Sequence, residues 1–223
     1  ELGRQVYAVP ERISSKEASL IEPFTVGCRA ARRSFPKAGE KAIVFGAGTI
    51  GIAAAIALQY FGCSRVLVCD HSDFRLEKVR QLGFAVCNNG RQSLKQCAEE
   101  LFGTALSAHG ETCDADIYID AAGADGILET YLELGKVDSR MVVVAVKAGL
   151  RPVDVLAMTY GQLALIGSGG YNPEDVQDVL AIMESWRWNI ESIITQEYPW
   201  EQLPQAIEKA SDVEQALNVV IRY

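Results

Sequence analysis

The stretch Lys41-Ala-Ile-Val-Phe-Gly46-Ala-Gly48-Thr-Ile-Gly51, then an apolar helical pattern, then Arg65-Val-Leu-Val-Cys-Asp70, organises the reading of the whole chain. Residues 42–45 form a short unbroken apolar run, as expected of a strand buried on both faces. Gly46, Gly48 and Gly51 follow in G-x-G-x-x-G spacing, the pattern of a dinucleotide-binding turn. The first glycine allows the tight turn, the second leaves the backbone open to a pyrophosphate, and the third lets the helix pack closely on the strand. A helix over 49–61 would aim the unpaired amides of Thr49 and Ile50, and its positive dipole end, at that pyrophosphate. The motif alone is common; its context is more specific. A second strand over 66–69 ends in Asp70, close to the roughly 20 residues past the last glycine at which the motif places a ribose-binding acid. Asp70 is expected to accept hydrogen bonds from the adenosine ribose and so to favour NAD over NADP, whose 2′-phosphate would meet a like charge. It is equally placed to cap the next turn.

The 223 residues are 49% hydrophobic and 22% charged, with a formal net charge of −8. Such an acidic chain is a poor partner for nucleic acid or an anionic membrane. No apolar run reaches the roughly 18 residues of a membrane span, and no signal peptide is visible at the start. The six cysteines contain no C-x-x-C pair, which argues against a zinc cluster or disulfide framework and for a reducing cytoplasm. The two histidines, His71 and His109, have no triad-like neighbours; His71 is read as a loop residue or as a contact to the adenosine end.

Further strands are predicted at 84–87, 116–120, 141–146 and 163–167. Helices are predicted at 73–82, 93–106, 125–134 and 174–185, with 108–113 as a polar loop. Six apolar strands alternating with helices specify an α/β Rossmann fold, a doubly wound six-stranded parallel sheet of order 3-2-1-4-5-6, with the ligand crevice between strands 1 and 4. The fourth strand ends Asp120-Ala121-Ala-Gly123, small residues that let a cofactor approach. Arg75 is assigned to the adenine face or to pairing with Asp73 or Glu77. Upstream, residues 1–10 read as extended, Ser14 as a helix N-cap, and Pro23 as a helix break before a second helix over 24–34. A helix over 203–210 and a strand over 216–221 close the chain. The sixth strand would be an exposed sheet edge open to pairing with a second copy.

The run Glu22-Pro-Phe-Thr-Val-Gly27, then Gly39-Glu-Lys41, the glycine motif, and Asp70 with Arg75-Leu-Glu77 resembles the medium-chain dehydrogenase/reductase family, in its zinc-dependent sorbitol and threonine dehydrogenase branch. The resemblance extends to Ala206 and to Asn218-Val-Val-Ile221. It implies a Rossmann domain over 23–195, with residues 1–22 and 196–223 as remnants of a GroES-like catalytic domain that is mostly missing. It implies hydride transfer between NAD and a secondary alcohol or polyol, zinc in the intact enzyme, Glu22 at the catalytic zinc as ligand or through its bound water, and a homo-dimer or tetramer. It also places backbone groups of Ala145, Val146, Gly167, Ser168 and Gly169 at the nicotinamide end. On residue chemistry alone Glu22 is equally a solvent-facing acid at a helix end. A non-catalytic NAD(H)-sensing module and a zinc-free NADPH reductase are the alternatives; Glu22 and Asp70 both speak against the reductase.

Overall fold

The computed structural model describes residues 6–223. The first half of the extended reading, residues 1–5, lies outside the described residues, and residues 6–10 form no strand. Short helix α1 (Ser15–Ala18) is capped by the Ser14 hydroxyl, which accepts from the Glu17 amide at 2.9 Å. Helix α2 (Ile21–Arg33) runs through Pro23, contrary to the predicted break. Pro23 falls in the first turn, where its missing amide costs no hydrogen bond.

The central unit then unfolds as β1 (Lys41–Phe45), α3 (Thr49–Tyr60), β2 (Arg65–Asp70), α4 (Asp73–Gln81), β3 (Ala85–Asn88) and α5 (Leu94–Phe102). The predicted helix over 93–106 stops at Phe102 because Gly103 takes a left-handed φ of 85°, a conformation open to glycine and not to most other residues. Residues 104–113 form a hairpin, not helix and polar loop: β4 (Thr104–Ser107) pairs antiparallel with β5 (Gly110–Cys113). The chain continues through β6 (Ile117–Asp120), α6 (Ile127–Leu134), β7 (Arg140–Val143), α7 (Val155–Gly161), β8 (Ala164–Gly167) and α8 (Pro173–Glu184). Last come β9 (Ile194–Pro199), α9 (Leu203–Ala210) and β10 (Asn218–Arg222). Helix α7 and strand β9 have no counterpart among the elements predicted from sequence.

The main sheet has six strands in the order β3-β2-β1-β6-β7-β8, every neighbouring pair parallel. This is the 3-2-1-4-5-6 order read from the sequence. Alternate strand residues feed two cores. Val44, Val68, Ile117 and Ile119 face α2, α3 and α8, whereas Ile43, Phe45, Leu67 and Tyr118 face α5 and α6. Period-two side-chain alternation, with both faces apolar, makes this a buried parallel sheet. Strand β8 is an edge of the sheet, as expected, and β3 is the other. Strands β9 and β10 pair parallel with each other in a separate two-stranded sheet.

Helices α2 and α8 are joined by an ion-pair group. The fully buried Asp175 carboxylate accepts from Arg32 Nε at 2.7 Å and from the Asn172 amide at 2.7 Å, with Arg29 at 3.7 Å. Arg32 also bonds Asp178. Removing Asp175 loses its charge-assisted bond to Arg32 and its bond to the Asn172 amide, while Arg32 keeps Asp178. Asp175→Ala is therefore expected to cost about 2 kcal/mol in urea unfolding, against less than about 1 kcal/mol for Arg29→Ala, whose contact is long and partly exposed. Equal midpoints for the two variants would show that Asp175 does not clamp these helices.

Candidate functional site

Each glycine of the motif has a measurable role. Gly46 has φ 103°, and its amide donates to Cys69 O at 2.8 Å, which turns the chain off β1. A Cβ on Gly51 would lie 1.8 Å from Gly46 O, so α3 sits against the turn at a distance no side chain allows. Gly48 caps α3 and faces open space: a Cβ there would meet nothing within 4 Å. The first helical bond of α3 runs from the Ile52 amide to Gly48 O at 2.9 Å. The preceding amides of Thr49, Ile50 and Gly51 have no carbonyl one turn back to bond, the usual state of a helix start. The open side of the loop, these amides and the helix dipole coincide.

Asp70 stands at the carboxyl end of β2 and is clasped by three backbone amides. Ala47 N donates to Oδ2 at 2.7 Å; His71 N and Ser72 N donate to Oδ1 at 2.7 and 2.9 Å. Asp70 thus caps its own turn and also holds the glycine loop. A cavity of about 340 Å³ opens beside it, lined by Gly46, Asp70, His71, Asn89, Leu94 and Ala122 among others. It lies at the switch between β1 and β6, where the strand order reverses and α/β sheets bind their ligands. Ala121 donates to Phe45 O at 2.9 Å across this switch. His71 lines the cavity; Arg75 is not among its lining residues. Asp73 pairs with Arg91 and Glu77 with Arg80, while the Arg75 Nε is buried without a hydrogen-bond partner.

Three contributors escape the sequence reading. Asp120 folds the end of β6 by accepting from Ala122 N at 3.1 Å and Gly123 N at 2.7 Å. Asn89 lines the cavity, and its Oδ1 is buried without a hydrogen-bond partner. Asn218, on the last strand, accepts the Thr49 hydroxyl at 2.7 Å and donates to Ile193 O at 3.2 Å. The start of α3 is thereby tied to the closing sheet. Small polar residues after strands are the available signal for Asp120 and Asn89; Asn218 carries no local signal, because its partner is 169 residues away.

At the other end of the crevice, Ala145 N donates to Asp120 O at 3.0 Å and Val146 is fully exposed. Ser168 N donates to Val143 O at 2.9 Å, its Oγ is buried without a partner, and Gly167 O accepts from Arg33. Gly169 is exposed. Past this loop a second cavity, about 700 Å³, is lined by Tyr7, Glu22, Thr25, Tyr171 and Asn172. Glu22 is exposed in the first turn of α2. Among the described residues no three His, Cys, Asp or Glu gather closely enough to hold a metal ion, and a catalytic zinc takes three protein ligands. The described residues do not make a zinc site on their own.

The sequence model for zinc-binding dehydrogenases matches residues 49–185, more than half the chain and most of the loop-and-crevice region. The chain belongs to the zinc-binding dehydrogenase family. Among curated relatives of this dehydrogenase chain, 2-dehydro-3-deoxy-L-galactonate 5-dehydrogenase of Pseudoalteromonas atlantica is 25% identical over 219 residues, covering 98% of this chain and 62% of that protein. Human sorbitol dehydrogenase is 26% identical over 204 residues, covering 91% and 55%. The chain thus spans between about half and two thirds of these relatives' length. Of solved structures, an Escherichia coli alcohol dehydrogenase in complex with NADH superposes with a TM-score of 0.84 at 24% identity, covering 97% of this chain and 62% of that one. Escherichia coli L-idonate 5-dehydrogenase gives 0.83 at 19%, covering 98% and 60%. At these identities the two structures establish the shared fold.

The dehydrogenase loop predicts a contrast between its glycines. Gly51→Ala should lower stability by about 3 kcal/mol through overpacking, whereas Gly48→Ala, with room for a methyl, should stay within about 0.5 kcal/mol of the parent. Thermal melting of both variants checks this, and a small effect of Gly51→Ala would overturn the contact.

Proposed function

We propose that this chain supplies the NAD(H)-binding domain of a zinc-dependent dehydrogenase acting on a secondary alcohol or polyol. One observation carries the reading: the open face at Gly48 lies before the unpaired amides of α3, with the Asp70 carboxylate anchored beside it. The bound nicotinamide supplies a hydride acceptor. The residues of this chain hold and orient it. Amides of Thr49, Ile50 and Gly51 take the diphosphate. Asp70 uses three acceptor positions on backbone amides, and a carboxylate offers about four, so capacity remains for a ribose hydroxyl. A 2′-phosphate would meet that carboxylate unfavourably, which supports NAD over NADP. Ala121, Ala145, Val146, Gly167, Ser168 and Gly169 line the path toward the nicotinamide, and Arg75 is assigned to the adenine side.

The zinc belongs to the family reading, and Glu22 is this chain's proposed share of its site, the remaining ligands lying outside the described residues. In the same reading residues 1–22 and 196–223 belong to a catalytic domain, and the chain alone binds nucleotide without turning over alcohol. Edge strand β8 is the proposed seam of a homo-dimer or tetramer. Six free thiols support a reducing, cytoplasmic setting. No helix among the described residues is long and apolar enough to cross a membrane. The second reading, an NAD(H)-sensing module, draws on the contrast between a complete nucleotide crevice and the lack of a metal cluster among the described residues.

Fluorescence titration with NADH and NADPH tests the proposal. The parent chain should prefer NADH. Because Asp70 also clasps Ala47, Asp70→Ala should weaken both cofactors, but its ratio of NADH to NADPH affinity should fall about tenfold, a change of about 1.4 kcal/mol. A ratio equal to the parent's would sink the assignment of Asp70.

A further inference from the structure

Three thiols gather behind the crevice wall. Cys69 on β2 and Cys87 on β3 are register partners across the parallel ladder. Cys97, on α5, brings its Sγ to 2.9 Å from the Sγ of Cys87. Cys87 is buried, and Cys97 is partly open to solvent. Cys69 lines the cavity, as does Leu94, one turn before Cys97 on the same helix. A disulfide requires a separation of about 2.05 Å, so the two sulfurs are less than about 1 Å from bonding. The thiols of Cys69 and Cys97 interact with Cys87 and hold its pKa below the ordinary thiol value, whereas burial raises that of Cys97. The pair therefore keeps one readily lost proton between two adjacent sulfurs, and thiolate is the reactive form. These cysteines form no metal cluster, and Cys28, Cys63 and Cys113 are all free and buried.

We infer that Cys87 and Cys97 are a redox pair that a peroxide closes to a disulfide, fastening α5 to β3 along the nucleotide crevice. Cys87, the more readily ionised of the two, attacks one peroxide oxygen as thiolate; the O–O bond breaks, giving a sulfenic acid and, with the proton released, water. Cys97, the sulfur that solvent reaches, then attacks the Cys87 sulfur, the S–O bond breaks, and the hydroxyl leaves as a second water after taking the remaining thiol proton. In sum two thiols and one peroxide become one disulfide and two waters; the sulfurs lose two electrons and the peroxide gains them. Thiol reductants reverse the closure by exchange. The link to cofactor binding rests on the proposed nucleotide site; the disulfide itself does not.

The full chain, treated with hydrogen peroxide and then mapped by peptide mass under non-reducing conditions, should show a Cys87–Cys97 crosslink with loss of two hydrogens, cleared by dithiothreitol. Cys97→Ser should abolish the crosslink and Cys28→Ser should leave it. A Cys87 that advances to sulfinic acid without crosslinking, or a crosslink that uses Cys69, would overturn the pair. NADH titration of the oxidised chain should show affinity changed by about threefold or more from the reduced chain, about 0.6 kcal/mol. Equal affinities would overturn the coupling to the crevice. A reduced chain that binds no NADH would instead count against the nucleotide reading, while the mass map still judges the disulfide.

Discussion

The fold depends on how closely α3 is gripped from both sides. On the sheet side, Gly51 presses against the carbonyl of Gly46, where a Cβ would come to 1.8 Å. On the outer side, Gly27 of α2 presses against α3: a Cβ there would lie 2.5 Å from Ala53 Cβ and 2.6 Å from Ile50 O. One glycine within the helix and one facing it from α2 fix its height above the sheet and its lateral position. Interiors packed to crystal density do not absorb such shifts. The direction of the α3 amides therefore follows from packing, before any ligand arrives. The helix itself has almost no polar face, with residues 51–58 all buried, as expected of a helix enclosed on all sides.

Charge then finishes what packing begins. Asp70 is a single side chain performing two tasks. Its contact with Ala47 holds the glycine loop against β2, and its contacts with His71 and Ser72 start α4. Charge-assisted bonds of this kind are roughly twice as strong as neutral ones. A residue that reads a ribose needs a fixed carboxylate, since a mobile one would give up rotamer entropy on binding. The same bonds that make the loop rigid thus prepare the site. Thr49 and Asn218 extend this logic to the far end of the chain, joining the start of α3 to the last strand.

Legibility from sequence follows the range of the interactions. The six strands and their order are readable because each is an apolar run with a local boundary, and the handedness of crossovers leaves few arrangements. The glycine loop is readable because its constraint spans six positions. Residues 104–113 mislead because the exposed, weakly alternating Thr104–Ser107 resembles a helix end, and the decision lies in the left-handed φ of Gly103. Pro23 passes for a break because proline in a first turn and proline inside a helix look alike without the N-terminal boundary. Strand β9 is hidden because its only partner among the described residues is β10, about twenty residues later. Asn218 is hidden for the same reason: its meaning is supplied by a contact that only the folded chain creates.

The two cavities differ in kind, and the difference bears on what this chain contains. The crevice at Asp70 is bounded by backbone amides, small residues and one anchored acid, all from the sheet and its own loops. Its chemistry is complete within one Rossmann unit. The cavity at Glu22 has two tyrosines, a threonine and an asparagine around a single carboxylate. One acid with no cationic partner among the described residues gains nothing from proximity to neutral hydroxyls that water would not also give. Its placement beside the loop after β8 becomes useful only if a charged group is delivered from another direction. Catalytic sites of this architecture form between domains, where the rigid element on one side supplies position and the other supplies ligands. The geometry of the Asp70 crevice is therefore legible within this chain to the level of individual atoms, while the Glu22 cavity offers one carboxylate and no such framework.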